Sequence, residues 1–183
     1  MSESLSNLDK EKTILRYTQR FAEHGFDPKS LGWGIKGRQK ERFKILIDII
    51  NIDCLNNLKV ADIGAGFGDL YNFMIKNDIQ IKEYFGYELV PSLVEEGRKQ
   101  YGDNKNFKLI NVDYLYEEEI DLVDISIISG SFNFKLEGGD NYTYIRNILK
   151  KAFINSKHGV AANFITNRTD FNDKLIFYAI PRK

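Results

Sequence analysis

One cysteine, Cys54, occurs in the whole chain, so an internal disulfide and any multi-cysteine zinc or iron–sulfur cage are excluded. Two histidines, His24 and His158, argue against a histidine-rich metal site, and no metal ligand set is expected. Prolines number three (Pro28, Pro91, Pro181), and each punctuates an element rather than interrupting one. Charge of one sign is also missing: 26 lysines and arginines balance 26 aspartates and glutamates. That balance argues against a protein held on nucleic acid or anionic lipid by bulk electrostatics, so neither is expected as a partner. No apolar run approaches the length of a membrane span, and the first ten residues are polar, so neither a span nor a signal peptide is expected. A reducing, cytoplasmic setting is the default. What is present is 43% hydrophobic residues over 183 positions, enough for one globule with a core.

The pattern divides the chain in two. Residues 6–24 read as a helix, with Ser6 and Asp9 offering a capping pair, Leu8, Ile14, Leu15, Tyr17 and Phe21 as candidates for its buried face, and Gly25 to end it. Residues 26–37 form a turn-rich connection carrying the only tryptophan, and 38–51 read as a second helix, basic first and apolar last. This gives an N-terminal helical cap over 1–57 and a core over 58–183. In the core, apolar runs at 58–63, 81–87, 107–112, 123–128 and 160–165 alternate with helical segments at 67–77, 91–101 and 140–156. Near-continuous apolar strands between amphipathic helices indicate an α/β fold, a doubly wound, Rossmann-like parallel sheet, here preceded by two helices.

In such a sheet ligands bind beyond the C-terminal ends of the strands. The first strand exits through Asp62-Ile63-Gly64-Ala65-Gly66-Phe67-Gly68-Asp69. Three glycines at alternate positions allow positive φ and close backbone approach. A P-loop would need Gly-Lys-Ser/Thr, which is absent. The dinucleotide fingerprint would place its third glycine at position 69, which is Asp69, and a pyrophosphate beside that carboxylate is disfavoured by like-charge repulsion. A nicotinamide-dependent oxidoreductase is therefore the weaker alternative. The acid Asp62 suits a ligand with an ammonium group instead. Glu88, 24 residues after Gly64, stands near the usual distance for an acid accepting ribose hydroxyls. Asp113 ends the third strand, placed to accept from an adenine amine, with Tyr114 to pack on the ring. The fourth strand exits through Ser129-Gly130-Ser131-Phe132-Asn133-Phe134.

Over residues 58–166 the sequence resembles the class I S-adenosylmethionine-dependent methyltransferases, in the segments ADIGAGFG (61–68), YELV (87–90), NVDY (111–114) and ISGSFNF (128–134). The resemblance implies S-adenosyl-L-methionine as cofactor. It implies that Asp62, Gly64, Ala65, Gly66, Gly68, Glu88, Leu89, Asp113, Tyr114 and Ser129 bind it. The segments YTQRFAEHG (17–25), Gly32-Trp33, SGSFNFK (129–135) and FITNRTDF (164–171) are similar to bacterial methyltransferases of small-molecule or polysaccharide-linked substrates. A small-molecule or sugar-linked acceptor is the resulting expectation, with in-line methyl transfer as the reaction and alignment as much of the acceleration. A cofactor-binding regulatory or truncated module without turnover is the alternative.

Tyr17, Phe132, Asn133 and Arg168 are the candidates to line the acceptor pocket, and His24 is the only candidate base, since His158 precedes the fifth strand. Lys36, Arg38, Lys40 and Arg42 form a basic cluster that either receives an anion or is a solvated face. The N/D-P-P-Y/F pattern of base-amine methylation is absent, which weighs against DNA adenine methylation and leaves an RNA or protein substrate open. Class I members usually continue past the fifth strand with a helix and an antiparallel strand pair. Here only residues 167–183 follow, so that hairpin is expected to be lacking. Leu175–Ile180 is expected to form one short strand or an apolar tail. The fifth strand then stands as an apolar edge, which a homodimer would cover.

Overall fold

A computed structural model describes residues 5–33, 38–50, 57–169 and 171–181. Lys36 and Cys54 lie outside the described residues. Helices α1 (Asn7–His24) and α2 (Gln39–Ile50), separated by a 3₁₀ turn (Pro28–Leu31), precede β1 (Lys59–Ile63). Then follow α3 (Asp69–Lys76), β2 (Glu83–Glu88), α4 (Pro91–Tyr101), β3 (Phe107–Asn111), β4 (Val123–Ile128), α5 (Asn141–Ile154) and β5 (Ser156–Ala162). The five strands form one sheet in the order β3-β2-β1-β4-β5, all pairs parallel. The order reverses between β1 and β4, which is where such sheets open a ligand crevice.

The core lies on both faces of this sheet. On one face Phe43, Leu46 and Ile47 of α2, Leu70, Tyr71 and Met74 of α3, and Val94 of α4 pack against alternate residues of the strands. On the other, Ile145, Ile148 and Ala152 of α5 pack against Ala61, Ile63, Phe85 and Ile128. Tyr84, Phe85 and Tyr87 of β2 are each no more than 1% exposed, so the second strand supplies large apolar area to both faces.

The strand and helix order expected from the pattern is present, and the largest boundary shift falls on β5. The apolar run at 160–165 predicts a strand there, yet β5 begins at Ser156, immediately after Asn155 caps α5. An edge strand buries less of itself, so its first residues Lys157 and His158 are exposed and carry no apolar signal. Asn163 has already left the sheet: its side chain accepts from the Gly130 amide at 2.9 Å and donates to Ser129 Oγ at 3.1 Å.

Helix α1 departs from its expected face. Ser6 caps it as the pattern predicts, accepting from the Asp9 amide at 3.1 Å, but Leu8 and Leu15 are 47% and 57% exposed. The reason is polar docking: Asp9 is buried and accepts from the Ser6 hydroxyl (2.6 Å) and from the amides of Glu137 (2.7 Å) and Gly138 (3.0 Å). Burial alone would raise the Asp9 carboxyl, but those hydrogen bonds outweigh it and hold the group below its ordinary value. Tyr17 and Phe21 do pack inward, with Leu31, on Phe67, Val90 and Leu93. The helix is thus latched across the C-terminal ends of the strands.

No described strand pairs with the outer side of β5. Residues 171–181 run back over the strand ends instead, with an antiparallel bridge between Phe134 and Ile176 and a parallel bridge between Thr166 and Ala179. Among the described residues, no helix is long and apolar enough to cross a membrane.

Candidate functional site

The exits of β1, β2, β3 and β4 converge beneath α1 on one cavity of about 470 Å³, within the range of small-ligand and cofactor sites. The loop after β1 is shaped by Gly64, Gly66 and Gly68, with φ of 77°, 58° and 89°. The amides of Gly64 and Ala65 donate to the Tyr87 carbonyl (2.8 and 3.2 Å), that of Gly66 to Glu88 Oε2 (2.8 Å), and that of Gly68 to the Ala65 carbonyl (2.9 Å). Four of the loop's amides are therefore committed internally, unlike a loop whose N–H groups cradle phosphates. A pyrophosphate ligand is disfavoured on geometry as well as by Asp69, whose carboxylate accepts from Gln39 Nε2.

Glu88, 8% exposed, ties two exits together, accepting from Gly66 through Oε2 and from the Val90 amide through Oε1 (2.9 Å). The carboxylate keeps lone-pair capacity for a ligand hydroxyl. Burial raises its pKa, while the amides of Val90, Gly66 and Leu89 act to lower it. From β3, Asn111 Nδ2 donates to the carbonyls of Glu88 and Leu89, which fixes the Glu88–Leu89 backbone. Asp113 accepts from the Leu115 amide, and its Oδ2 lies 2.8 Å from Lys10 Nζ on α1. From β4, Ser131 donates to the Ile63 carbonyl at 2.8 Å, and Asn133 presents a buried Oδ1 that has no hydrogen-bond partner.

Asp62 is 3% exposed and accepts from the Tyr84 hydroxyl at 2.6 Å. Burial pushes its pKa from 3.8 up to about 7; the Tyr84 bond opposes this, and Glu88 and Asp69 add to it. Since the folded state holds the proton more tightly than the unfolded chain, the stability this group contributes is complete below 3.8 and is lost as pH rises through about 7. Asp62→Asn is expected to flatten that decline, measured as a smaller drop in melting temperature than wild type between about pH 5 and about pH 8. An equal drop in both proteins would contradict the buried titration.

Of the residues expected to bind a cofactor, Asp62, Gly64, Ala65, Gly66, Glu88, Leu89, Asp113, Tyr114 and Ser129 line this cavity, as do the acceptor candidates Tyr17, Phe132 and Asn133. Three expected residues do not. Gly68 caps α3, where a Cβ would meet the Phe107 ring at 2.8 Å. Arg168 is exposed beyond β5, and His24 ends α1 beside Glu23. Among the described residues no group of three or more histidine, cysteine, aspartate or glutamate side chains is placed to hold a metal. Residues that no motif marks complete the wall, Arg16 and Thr13 of α1 and Tyr144 of α5, together with Trp33 of the Gly32-Trp33 segment. Arg38 and Arg42 line it too, and the basic run at 36–42 is the one sequence signal that points to them.

No family model matches the chain. It is 32% identical over 133 residues to ribosomal RNA small subunit methyltransferase A of Mycoplasma mobile, covering 72% of this chain and 46% of that protein. The chain thus spans about half the length of the curated relative. Among solved structures it is similar to a proposed RNA methyltransferase of Pyrococcus horikoshii, with a TM-score of 0.51 and 25% identity, covering 63% of this chain and 56% of that one. Phosphoethanolamine N-methyltransferase 1 of Haemonchus contortus, solved with phosphoethanolamine and S-adenosylhomocysteine, shares the fold over 95% of this chain and 39% of its own. That match has a TM-score of 0.63 and 12% identity.

The chain has the class I S-adenosylmethionine-dependent methyltransferase fold, and these relatives by sequence and structure are methyltransferases. The expectation that nucleic acid is no partner is overturned, because the curated relative acts in name on ribosomal RNA. The physical fault in that expectation is that net charge is a sum. Zero overall is compatible with three arginines lining one cavity.

Proposed function

We propose that this chain binds S-adenosylmethionine in the cavity and transfers its methyl group to an acceptor entering between Tyr17, Asn133 and Phe134. The observation that carries the reading is the convergence of Asp62, Glu88 and Asp113 on a cavity whose glycine loop has its amides committed. A ligand with cationic and hydroxyl groups suits that set of acceptors, whereas a phosphate does not.

The cofactor, when bound, supplies a methyl group on a sulfonium, activated without help from the protein. The chain's own residues have the tasks of binding, alignment and exclusion of water. Glu88 is proposed to accept ribose hydroxyls through the lone pairs its backbone partners leave free. Asp113 is proposed to bind adenine, which requires sharing or releasing Lys10. Asn133 Oδ1 is proposed to accept a hydrogen bond from the acceptor and so orient the attacking atom. Tyr17 has its pKa raised, first by burial and then by Glu88, so its hydroxyl stays protonated and serves as a donor rather than a base. Helix α1, held by Asp9, Lys10 and Lys12, keeps water from the site.

The acceptor class is open to RNA, which the curated relative supports, and to a small or sugar-linked molecule, which the roof formed by α1 supports. An acceptor base of RNA would have to be turned out of its stack to enter. The test is calorimetry with S-adenosylhomocysteine, followed by transfer from labelled cofactor to unmodified small-subunit ribosomal RNA and, separately, to a metabolite panel including nucleotide sugars. Saturable binding and label in one arm are expected. A well-folded protein giving no heat with S-adenosylhomocysteine would overturn the reading.

A further inference from the structure

The cavity is lined by side chains of both charges. Its carboxylates are engaged by other groups of the chain: Asp62 by Tyr84, Glu88 by the amides of Gly66 and Val90, and Asp113 by Lys10. Arg16, Arg38 and Arg42 line it as well. Among the described residues none of the three is paired with a carboxylate. Arg16 lies over the Phe134 ring, 4.4 Å from its centroid, and Arg42 over Trp33 at 4.8 Å. Both rings belong to the same region: Phe134 is in the β4 exit, and Trp33 lies where a Cβ on Gly130 would meet it at 3.1 Å. A ring behind a guanidinium holds its plane and leaves the N–H edge free to form a two-point bond with an oxyanion. Burial, and after it the charge of Arg38, lower the pKa of Arg42, as expected for like charges held together in a partly dry place without a counter-charge.

We propose that the methyl acceptor presents an oxyanion, a carboxylate or a phosphate, to Arg16, Arg38 and Arg42, and an N–H or O–H group to Asn133 Oδ1. This rests on the methyltransferase reading and narrows its substrate class. The cofactor does not discharge these arginines. It carries one carboxylate, one ammonium and one sulfonium, so it adds a net positive charge even when its carboxylate takes one guanidinium. The acceptor is left to neutralise the rest. A free phosphorylated or carboxylated small molecule and the phosphodiester of RNA share this chemistry.

The test uses protein saturated with S-adenosylhomocysteine, so that the cofactor's own carboxylate is already placed. Inorganic phosphate and succinate are titrated separately, the first followed by phosphorus NMR and the second by calorimetry. Saturable binding is expected for at least one anion, weakened by at least about tenfold in Arg42→Gln and in Arg16→Gln. The exposed Lys150→Gln on α5 serves as a control and should bind as wild type does. A single-stranded oligoribonucleotide is then added. Displacement of the anion assigns the oxyanion to an RNA phosphodiester, and retention assigns it to a small molecule; either outcome supports the guanidinium site. Saturation with S-adenosylhomocysteine but no saturable anion, or equal binding in the arginine variants, overturns this inference alone. Failure to saturate overturns the methyltransferase reading and this inference with it.

Discussion

A Gly64→Val variant is expected to lose S-adenosylhomocysteine binding by more than about 100-fold while keeping the helical circular dichroism of the parent. Two effects add at this position. Gly64 has a φ of 77°, which a β-branched residue adopts only at a strain of roughly 1–3 kcal/mol. A Cβ there would also stand 2.1 Å from Ser131 Oγ and 2.9 Å from Ser131 Cβ. Ser131 has little freedom to withdraw, because its hydroxyl donates to the Ile63 carbonyl and joins the β1 and β4 exits. Relief of the overlap must therefore part the two strand ends that flank the cavity. The steric cause can be isolated: Gly64→Ala combined with Ser131→Gly removes the colliding atoms and should recover part of the affinity, leaving the backbone strain. Calorimetry on Gly64→Ala and on the double variant checks this, and equal affinities would mean that the collision is not the cause.

Glu88→Ala is expected to weaken the same ligand by roughly 100-fold, on the order of 3 kcal/mol, through the loop as well as through direct contact. Its carboxylate accepts from Gly66 in one exit and Val90 in the next, both buried bonds. Removing it leaves two amides without their acceptor, each costing about 1–3 kcal/mol if no other partner replaces it. Glu88→Gln keeps the shape but replaces one accepting oxygen with a donor, so it should fall between wild type and alanine. Thermal melting without ligand separates the two contributions. The loop's share appears there as lost stability, whereas a contact made only with the ligand leaves the melting temperature unchanged.

The two variants probe different kinds of information. The glycine loop and the acids at three successive strand ends stand in the sequence as a local pattern, because each must occupy a fixed offset from its own strand. Asp62, Gly64, Gly66, Glu88 and Asp113 are all found on one cavity for that reason. The arginines of the cavity have no such offset. Arg16 sits mid-helix in α1, and Arg38 precedes α2. Both line the cavity, and Asp9, two turns before Arg16, anchors α1 to the loop at 137–138. No periodicity in the sequence of α1 reports that anchor, and its apolar pattern points to Leu8 and Leu15, which face solvent. Arg168 and His24 show the converse: an expected strand exit and an expected covering helix recommended them, and chain geometry leaves both outside the cavity lining.

Scarcity remains informative where it concerns covalent and coordination chemistry. One cysteine and two histidines cannot build an internal disulfide or a multi-thiolate metal cage whatever the fold. The balance of 26 cationic and 26 anionic side chains is a different kind of scarcity, since net charge says nothing of where charges lie. By itself the sequence determined the α/β class, the sequential order of strands and helices, and the strand-end acids, because hydrophobic period and glycine spacing act over a few residues. Only the tertiary structure decided which helix roofs the cavity, where β5 begins, and which cations join the strand-end acids in lining the site. Those depend on contacts between residues as far apart as Asp9 and Gly138, and such contacts leave no local pattern to read.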